Sequence, residues 1–155
     1  MNITSKQLST IFITLIFFGS SFAFALNYVL PQQTKEKKLP NVVEQPISDS
    51  QRKYFIDNDI TMLSLFYTKD NKDSAKVKEE VENLAKEFDD KLIVEEIDAR
   101  VYQSFSAGYN IRYVPTIIIR GKANSNQPIR VEEPQEYSQL KNEVCSTYKD
   151  RPKVC

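Results

Sequence analysis

The stretch "YNIRYVPTIII", residues 109–119, combines a polar turn, a proline and a run of branched apolar residues. β-branched side chains favour an extended backbone, so the run predicts a strand over 115–120. Proline is tolerated at the first residue of a strand, because it has no N–H to give to a neighbouring strand. A polar segment over 121–128 and a short apolar run over 129–131 then predict a hairpin.

Apolar patterns on either side of this hairpin predict the remaining elements. An uninterrupted apolar run is typical of a strand covered on both faces, and apolar residues every three or four positions indicate a helix. These patterns predict a helix over 48–58, a strand over 60–68, a helix with its apolar stripe over 77–88, a strand over 91–98, a helix over 100–110 and a helix around 137–144. The order predicts an α/β fold, a mixed central sheet with helices on both faces.

The composition argues against several classes of function. The 155-residue chain has 21 basic and 21 acidic side chains, so it offers no net positive charge for nucleic acid. It has no histidine, which removes the usual general base near neutral pH and the commonest zinc ligand. A zinc site would need two carboxylates beside the only cysteines, Cys145 and Cys155. We therefore expect no metal and no cofactor.

Residues 1–30 are predicted to be a signal peptide or a membrane anchor. Lys6 precedes the apolar run 11–18, and the Ala-Phe-Ala sequence ending at Ala25 matches a cleavage site. Apolar character continues to residue 30, which favours an uncleaved anchor from about residue 8 onward. A buried helix is the third alternative, and the polar segment that follows argues against it.

Residues 31–45 have the composition of a flexible linker. Proline, glutamine and charged residues dominate, so the segment cannot bury enough apolar surface to offset the cost of ordering. Val42 and Val43 are the exception, and they suit a short edge strand. With an anchor, the domain that follows would face the extracytoplasmic side of a membrane. With cleavage near Ala25, it would be secreted or periplasmic.

The sequence around Pro115 resembles a motif of the thioredoxin superfamily. In that motif a tyrosine is followed by Ile-Arg, two further residues, Pro-Thr and an apolar strand. The matching residues are Tyr109, Ile111, Arg112, Val114, Pro115, Thr116 and the isoleucines at 117–119. The likeness covers residues 60–148 and implies a thioredoxin-like domain over 46–148. It also implies a cis bond before Pro115. Val114, Pro115 and Thr116 would then form a surface on which extended peptides pair with the backbone.

The Cys-x-x-Cys redox motif of that family is absent. By the spacing from Phe66, its first and last positions fall on Asn71 and Ser74. Lys72 and Asp73 lie between them. Asparagine, aspartate and serine are good helix caps but carry no sulfur, so we expect no dithiol exchange at this turn.

Other chemistry at this turn has little support. The resemblance places a buried acid just before Phe66, where this chain has Leu65. Ser74 could be a nucleophile only with a base, and the chain has no histidine to activate it. Asp70 and Asp73 could form a carboxylate pair or a weak cation site, but capping and solvation explain them more simply.

The two cysteines are expected to form a disulfide. Nine residues separate Cys145 from Cys155, and Pro152 can turn the tail (149–155) back toward the end of the last helix. Export would favour the bond, and closing so short a loop stabilises by about 2–3 kcal/mol in the chain-entropy account. Free thiols and a labile, exchanging bridge are the alternatives.

These observations favour a non-enzymatic function. The leading hypothesis is an exported, membrane-tethered module without dithiol redox activity that binds an extended peptide or protein partner, or serves as a scaffold. One alternative is a thiol–disulfide oxidoreductase that works through Cys145 and Cys155. Another is a membrane-anchored subunit whose domain only packs within a complex.

Overall fold

The computed structural model describes residues 41–132 and 136–155. The predicted anchor or signal peptide (1–30) and most of the predicted linker lie outside the described residues. The elements are, in chain order, β1 (Val42–Val43), α1 (Asp49–Asp57), β2 (Thr61–Tyr67), α2 (Lys72–Phe88), a 3₁₀ turn (Asp89–Lys91), β3 (Leu92–Asp98), α3 (Gln103–Gly108), β4 (Thr116–Arg120), β5 (Ile129–Val131) and α4 (Tyr137–Ser146). Within the described ranges, no helix is long and apolar enough to cross a bilayer.

The five strands form one mixed sheet in the order β1-β3-β2-β4-β5. β1 and β2 pair parallel with β3, whereas β4 pairs antiparallel with β2 and with β5. β2 is buried along its whole length, and β3 is buried at all but its last residue. Their largely apolar sequences follow from this position, because helices cover both faces. The predicted α/β class with a mixed central sheet is confirmed.

Helices α2 and α4 cover one face of the sheet and form the main core with it. The buried stripe of α2 has the expected spacing of three and four residues. It packs over alternate residues of the two central strands, among which Leu63, Leu65 and Val94 are completely buried. Burying each such side chain contributes about 1.5–3 kcal/mol, so this cluster supplies most of the apolar stabilisation.

Helices α1 and α3 cover the opposite face, where a polar row divides the core. The two apolar clusters on this face are Phe55, Met62 and Ile93 with Ile47, and Phe66, Ile97 and Ile118. Ser64 and Glu95 lie between the clusters because each occupies the middle of its strand, and they are paired across β2 and β3. The sheet therefore carries a buried charge at its centre.

The carboxylate of Glu95 is completely buried and fully hydrogen-bonded. Its Oε1 accepts from the backbone N–H of Ile47 and from Nη2 of Arg52, both at 2.6 Å. Its Oε2 accepts from the hydroxyl of Ser64 at 2.6 Å. Arg52 also donates from Nη1 to the hydroxyl of Tyr109 at 2.9 Å. Such hydrogen bonds offset the desolvation of a buried ion pair, and they fix α1 and the end of α3 on the sheet.

The C-terminal tail is held against the domain. Cys145 and Cys155 form the predicted disulfide, with their Cα atoms 5.6 Å apart. The carboxylate of Asp59, just before β2, accepts the backbone N–H groups of Lys149 and Asp150 at 3.1 and 3.0 Å. The tail is therefore attached at both of its ends, by the bridge and by this carboxylate.

Gly121 provides a test of the packing between the end of β4 and the end of α4. A Cβ atom at Gly121 would lie 2.5 Å from the backbone oxygen of Thr147. Thr147 is itself fixed, because its hydroxyl bonds that of Thr61 at 2.7 Å. We expect Gly121→Ala to lower the free energy of unfolding by about 1–3 kcal/mol, as overpacking does.

Gly108→Ala is the matched control. A Cβ atom at Gly108 would meet no atom within 4 Å. Because Gly108 is the last residue of α3, this change should be neutral or stabilising by up to about 1 kcal/mol. Denaturant unfolding of both variants measures the difference. Equal stability of the two variants would contradict the close packing at Gly121.

Candidate functional site

Three loops meet at the edge of the sheet where β2 and β3 end and β4 begins. They are the turn after β2 (68–71), the loop after β3 (99–102) and the loop before β4 (109–115). Because β4 runs antiparallel to β2, its first residue, Thr116, pairs with Phe66 near the end of β2. The fold thus brings Asn71 and Val114 together although they are 43 positions apart in the chain.

The loop before β4 presents backbone to solvent. The bond between Val114 and Pro115 is cis, as the resemblance implies. The buried side chain of Thr116 donates to the carbonyl of Tyr113 at 2.7 Å and closes the turn around that bond. Tyr113 is 66% exposed, and the N–H of Val114 has no acceptor within residues 41–132 and 136–155. A free backbone donor therefore lies next to an exposed aromatic residue.

Asn71 joins the turn after β2 to this loop. As the N-cap of α2, it accepts the N–H of Ser74 on its side-chain oxygen at 3.0 Å. Its side-chain nitrogen donates to the carbonyl of Val114 at 3.1 Å. Both ends of one amide are therefore used, so Asn71, which the sequence resemblance assigned to the first motif position, has a structural role. Helix capping was expected from the sequence, but the bond to Val114 was not.

Lys72, Asp73 and Ser74 are the other residues that the sequence resemblance assigned to the motif. Lys72 and Asp73 are exposed in the first turn of α2. Ser74 is buried, and its hydroxyl has no hydrogen-bond partner among the described residues. With neither sulfur nor histidine available, the turn lacks the groups that thiol exchange or an activated serine would need.

The carboxylate of Asp70 binds an arginine side chain. Oδ2 of Asp70 lies 2.6 Å from Nη2 of Arg100, in the loop after β3. This hydrogen bond is the main reason that the pKa of Asp70 is lowered. The helix predicted over 100–110 begins only at Gln103, which leaves Arg100 in the loop and free to reach Asp70. No cluster of metal ligands exists in the part of the chain that the structure describes.

A buried carboxylate lies beneath this region. It is on β3, next to the β2 position where the resemblance places a buried acid. Leu65 is buried and apolar, but its partner across β3 is Glu96, which is 1% exposed. Nζ of Lys78, on α2, lies 2.6 Å from Oε2 of Glu96. The other oxygen, Oε1, has no partner among the described residues. The adjacent Glu95 and Glu96, inside an otherwise apolar strand, were the signal in the sequence that two buried carboxylates exist.

Burial and ion pairing act in opposite directions on this pair. Burial raises the pKa of Glu96, and the hydrogen bond from Lys78 only partly compensates. Burial also acts to lower the pKa of Lys78, but the hydrogen bond and charge of Glu96 outweigh it, so that this pKa is raised. Glu96 therefore takes up a proton more readily than an exposed glutamate does.

Comparison with known proteins supports the fold. No protein-family model and no curated protein matches the chain. Among solved structures, a mutant thioredoxin from Halobacterium salinarum is 23% identical, with a TM-score of 0.58, over 73% of this chain and 96% of that one. Chloroplastic thioredoxin z is 25% identical, with a TM-score of 0.55, over 65% and 90%. A Fasciola hepatica thioredoxin is 17% identical, with a TM-score of 0.52, over 63% and 90%. The domain has a thioredoxin-like fold.

The dual role of Asn71 predicts a specific order of stabilities. Asn71→Ala removes the cap and the bond to Val114, and should lower the free energy of unfolding by about 1–2 kcal/mol. Asn71→Asp keeps a capping oxygen beside the helix N-terminus but loses the donor to Val114. We therefore expect it to be the more stable of the two, and both variants to show faster amide exchange in the loop 109–115.

Lys72→Ala is the control, because this neighbouring side chain is exposed and makes no ion pair in the described ranges. It should change neither stability nor loop exchange. Denaturant unfolding and hydrogen exchange by mass spectrometry measure the two effects. Unchanged exchange in the loop of Asn71→Asp would show that the bond to Val114 does not hold the loop.

The raised pKa of Glu96 predicts a pH-dependent stability difference. The folded state holds this proton above pH 4.5, the ordinary value, whereas the unfolded state has begun to release it. Stability contributed by the protonated form is therefore lost as the pH rises through the folded pKa. We expect wild type to lose stability relative to Glu96→Gln as the pH rises above 4.5, measured by denaturant unfolding. A constant difference would contradict the shift.

Proposed function

We propose that this chain is a thioredoxin-like binding module, exported and tethered through residues 1–30, that holds an extended segment of a partner protein at residues 113–116. One observation carries the proposal: the N–H of Val114 is unpaired in the described part of the chain and lies beside the exposed Tyr113. The absence of sulfur from positions 71 and 74 supports binding without dithiol exchange. Membrane tethering rests on the sequence of residues 1–30 alone.

The proposed contact is strand addition. The N–H of Val114 would donate to a carbonyl of the partner segment. The carbonyl of Val114 already accepts from Asn71, but a carbonyl oxygen has two lone pairs, so a partner N–H can share it. The ring of Tyr113 would supply apolar contact area together with a hydroxyl, a combination that is common at interfaces.

Charge near this surface favours a partner segment with acidic side chains. Asp70 and Arg100 neutralise each other. Among the other exposed residues of these loops and the first turn of α2, Lys69, Lys72 and Arg112 are cationic, and Asp73 is anionic. The balance is three positive charges against one negative. Such complementarity would mainly increase the rate of association and suppress basic partners.

The alternative function, thiol exchange through Cys145 and Cys155, has less physical support. Cys145 is buried in the last turn of α4, where burial and the negative end of the helix dipole both disfavour a thiolate. Reactive cysteines are found in the opposite setting, at exposed helix N-termini. The bridge is better suited to holding the tail. Reduction of insulin by the full chain would favour the enzymatic alternative.

The binding proposal predicts a loss of affinity when Tyr113 is truncated. Random peptides displayed on phage would be selected on the full chain in a non-ionic detergent. The selected peptides should bind Tyr113→Ala at least about tenfold more weakly, which corresponds to a loss of about 1.4 kcal/mol.

Tyr54→Ala is the matched control for this experiment. Tyr54 lies on α1 and is 61% exposed, compared with 66% for Tyr113, so both variants remove an exposed tyrosine. Binding to Tyr54→Ala should be unchanged. Failure to select any peptide, or equal binding to the wild type and to Tyr113→Ala, would reject residues 113–116 as the site.

A further inference from the structure

Arg130 connects the edge strand β5 to the loop that carries the proposed binding surface, residues 113–116. It pairs with Ile118 across β4 and β5, and residues paired in this way point to the same face of the sheet. On that face Ile118 belongs to the apolar cluster against which Tyr109 and Ile111 pack. The side chain of Arg130 therefore projects toward the end of α3 and the start of the loop 109–115.

The guanidinium group of Arg130 binds the carbonyls that follow α3. Its Nη2 donates to the carbonyl of Tyr109, the C-cap of that helix, and its Nη1 lies 3.5 Å from the carbonyl oxygen of Asn110. Nη1 also lies 3.3 Å from Oε1 of Glu132. The last carbonyls of a helix have no partner within the helix, and an arginine side chain can satisfy them. Because α3 contains no basic residue of its own, β5 supplies the cation.

The chain turns sharply at the place that Arg130 holds. Asn110 has a φ of 53°, in the left-handed region that asparagine adopts more readily than most residues. The N–H groups of Tyr109, Asn110 and Ile111 bond back to carbonyls of α3. This turn sets the direction in which the loop leaves the helix.

The loop is therefore attached at both ends, and the exposed Tyr113 lies between the attachments. At the far end, Asn71 holds the carbonyl of Val114 and Thr116 holds that of Tyr113. At the near end, Arg130 holds the exit from α3. A binding loop that is already fixed in its bound shape loses less conformational freedom when a partner binds.

We propose that Arg130 is a positioning residue for partner binding. By holding the end of α3, it keeps residues 113–116 in the shape that accepts an extended segment, and it acts through the loop without touching the partner. This inference rests on the proposed function and extends it, because it makes a residue of the edge strand a determinant of affinity.

Hydrogen exchange of the full chain in a non-ionic detergent tests the hold on the loop. Arg130→Met removes the donors but keeps an unbranched side chain, and the amides at 109–111 should exchange at least about threefold faster in it. Arg130→Lys keeps the charge without the planar fork, so we expect a smaller acceleration. Arg151→Met removes the same charge from an exposed residue of the tail and should leave this exchange unchanged.

Binding of the peptides selected on the wild type tests the consequence. Arg130→Met should bind them at least about threefold more weakly. The loss should persist in about 1 M salt, where the Debye length of about 3 Å screens any direct attraction between Arg130 and an acidic peptide. Arg151→Met should bind as the wild type does. So should Gly121→Ala, which is expected to destabilise the domain at the opposite end of β4.

Two comparisons distinguish failure of the Arg130 role from failure of the surface itself. If Tyr113→Ala weakens binding and Arg130→Met does not, the surface stands and the role of Arg130 is rejected. Unchanged exchange at 109–111 in Arg130→Met would also reject it, as would equal weakening in Gly121→Ala, because binding would then only follow stability. If Tyr113→Ala binds as the wild type does, the surface and the role of Arg130 fail together.

Discussion

The geometry of the proposed binding surface depends on the two hydrogen bonds of the Asn71 side chain. Its oxygen satisfies the first turn of α2, and its nitrogen holds the carbonyl of Val114. A cysteine at this position could form neither bond with comparable strength, because a thiol is a weak donor and a weak acceptor. Asn71 therefore holds the turn after β2 and the loop before β4 in a fixed relation. Asp70 and Arg100 add an ion pair between the same turn and the loop after β3.

The two faces of the sheet achieve their packing differently. The face under α2 and α4 is mostly apolar, with Glu96 and Lys78 at its margin. The face under α1 and α3 is divided by the buried pair of Arg52 and Glu95. A buried ion pair contributes little net stability, but removing one partner is costly, so such a pair can specify how helices are placed.

Local sequence patterns predicted most of the fold, since apolar runs and helical spacing report burial directly. The strands, the hairpin, the order of elements and the disulfide between Cys145 and Cys155 all agree with the structure. Contacts between distant side chains were not predictable in the same way. The bonds of Asn71 to Val114 and of Asp70 to Arg100 join loops that meet only after the sheet has formed. Periodicity along the chain carries no information about such pairs.

The most direct test of the central claim is site-specific photocrosslinking in native membranes, with a benzophenone amino acid in place of Tyr113 or, in a separate variant, of Tyr54. The account predicts that the probe at position 113 captures a discrete protein partner, identified by mass spectrometry, through an extended segment of that partner. The probe at position 54 should not capture this partner. Capture of the same proteins with equal yield from both positions, or of none from position 113, would contradict a binding site at residues 113–116.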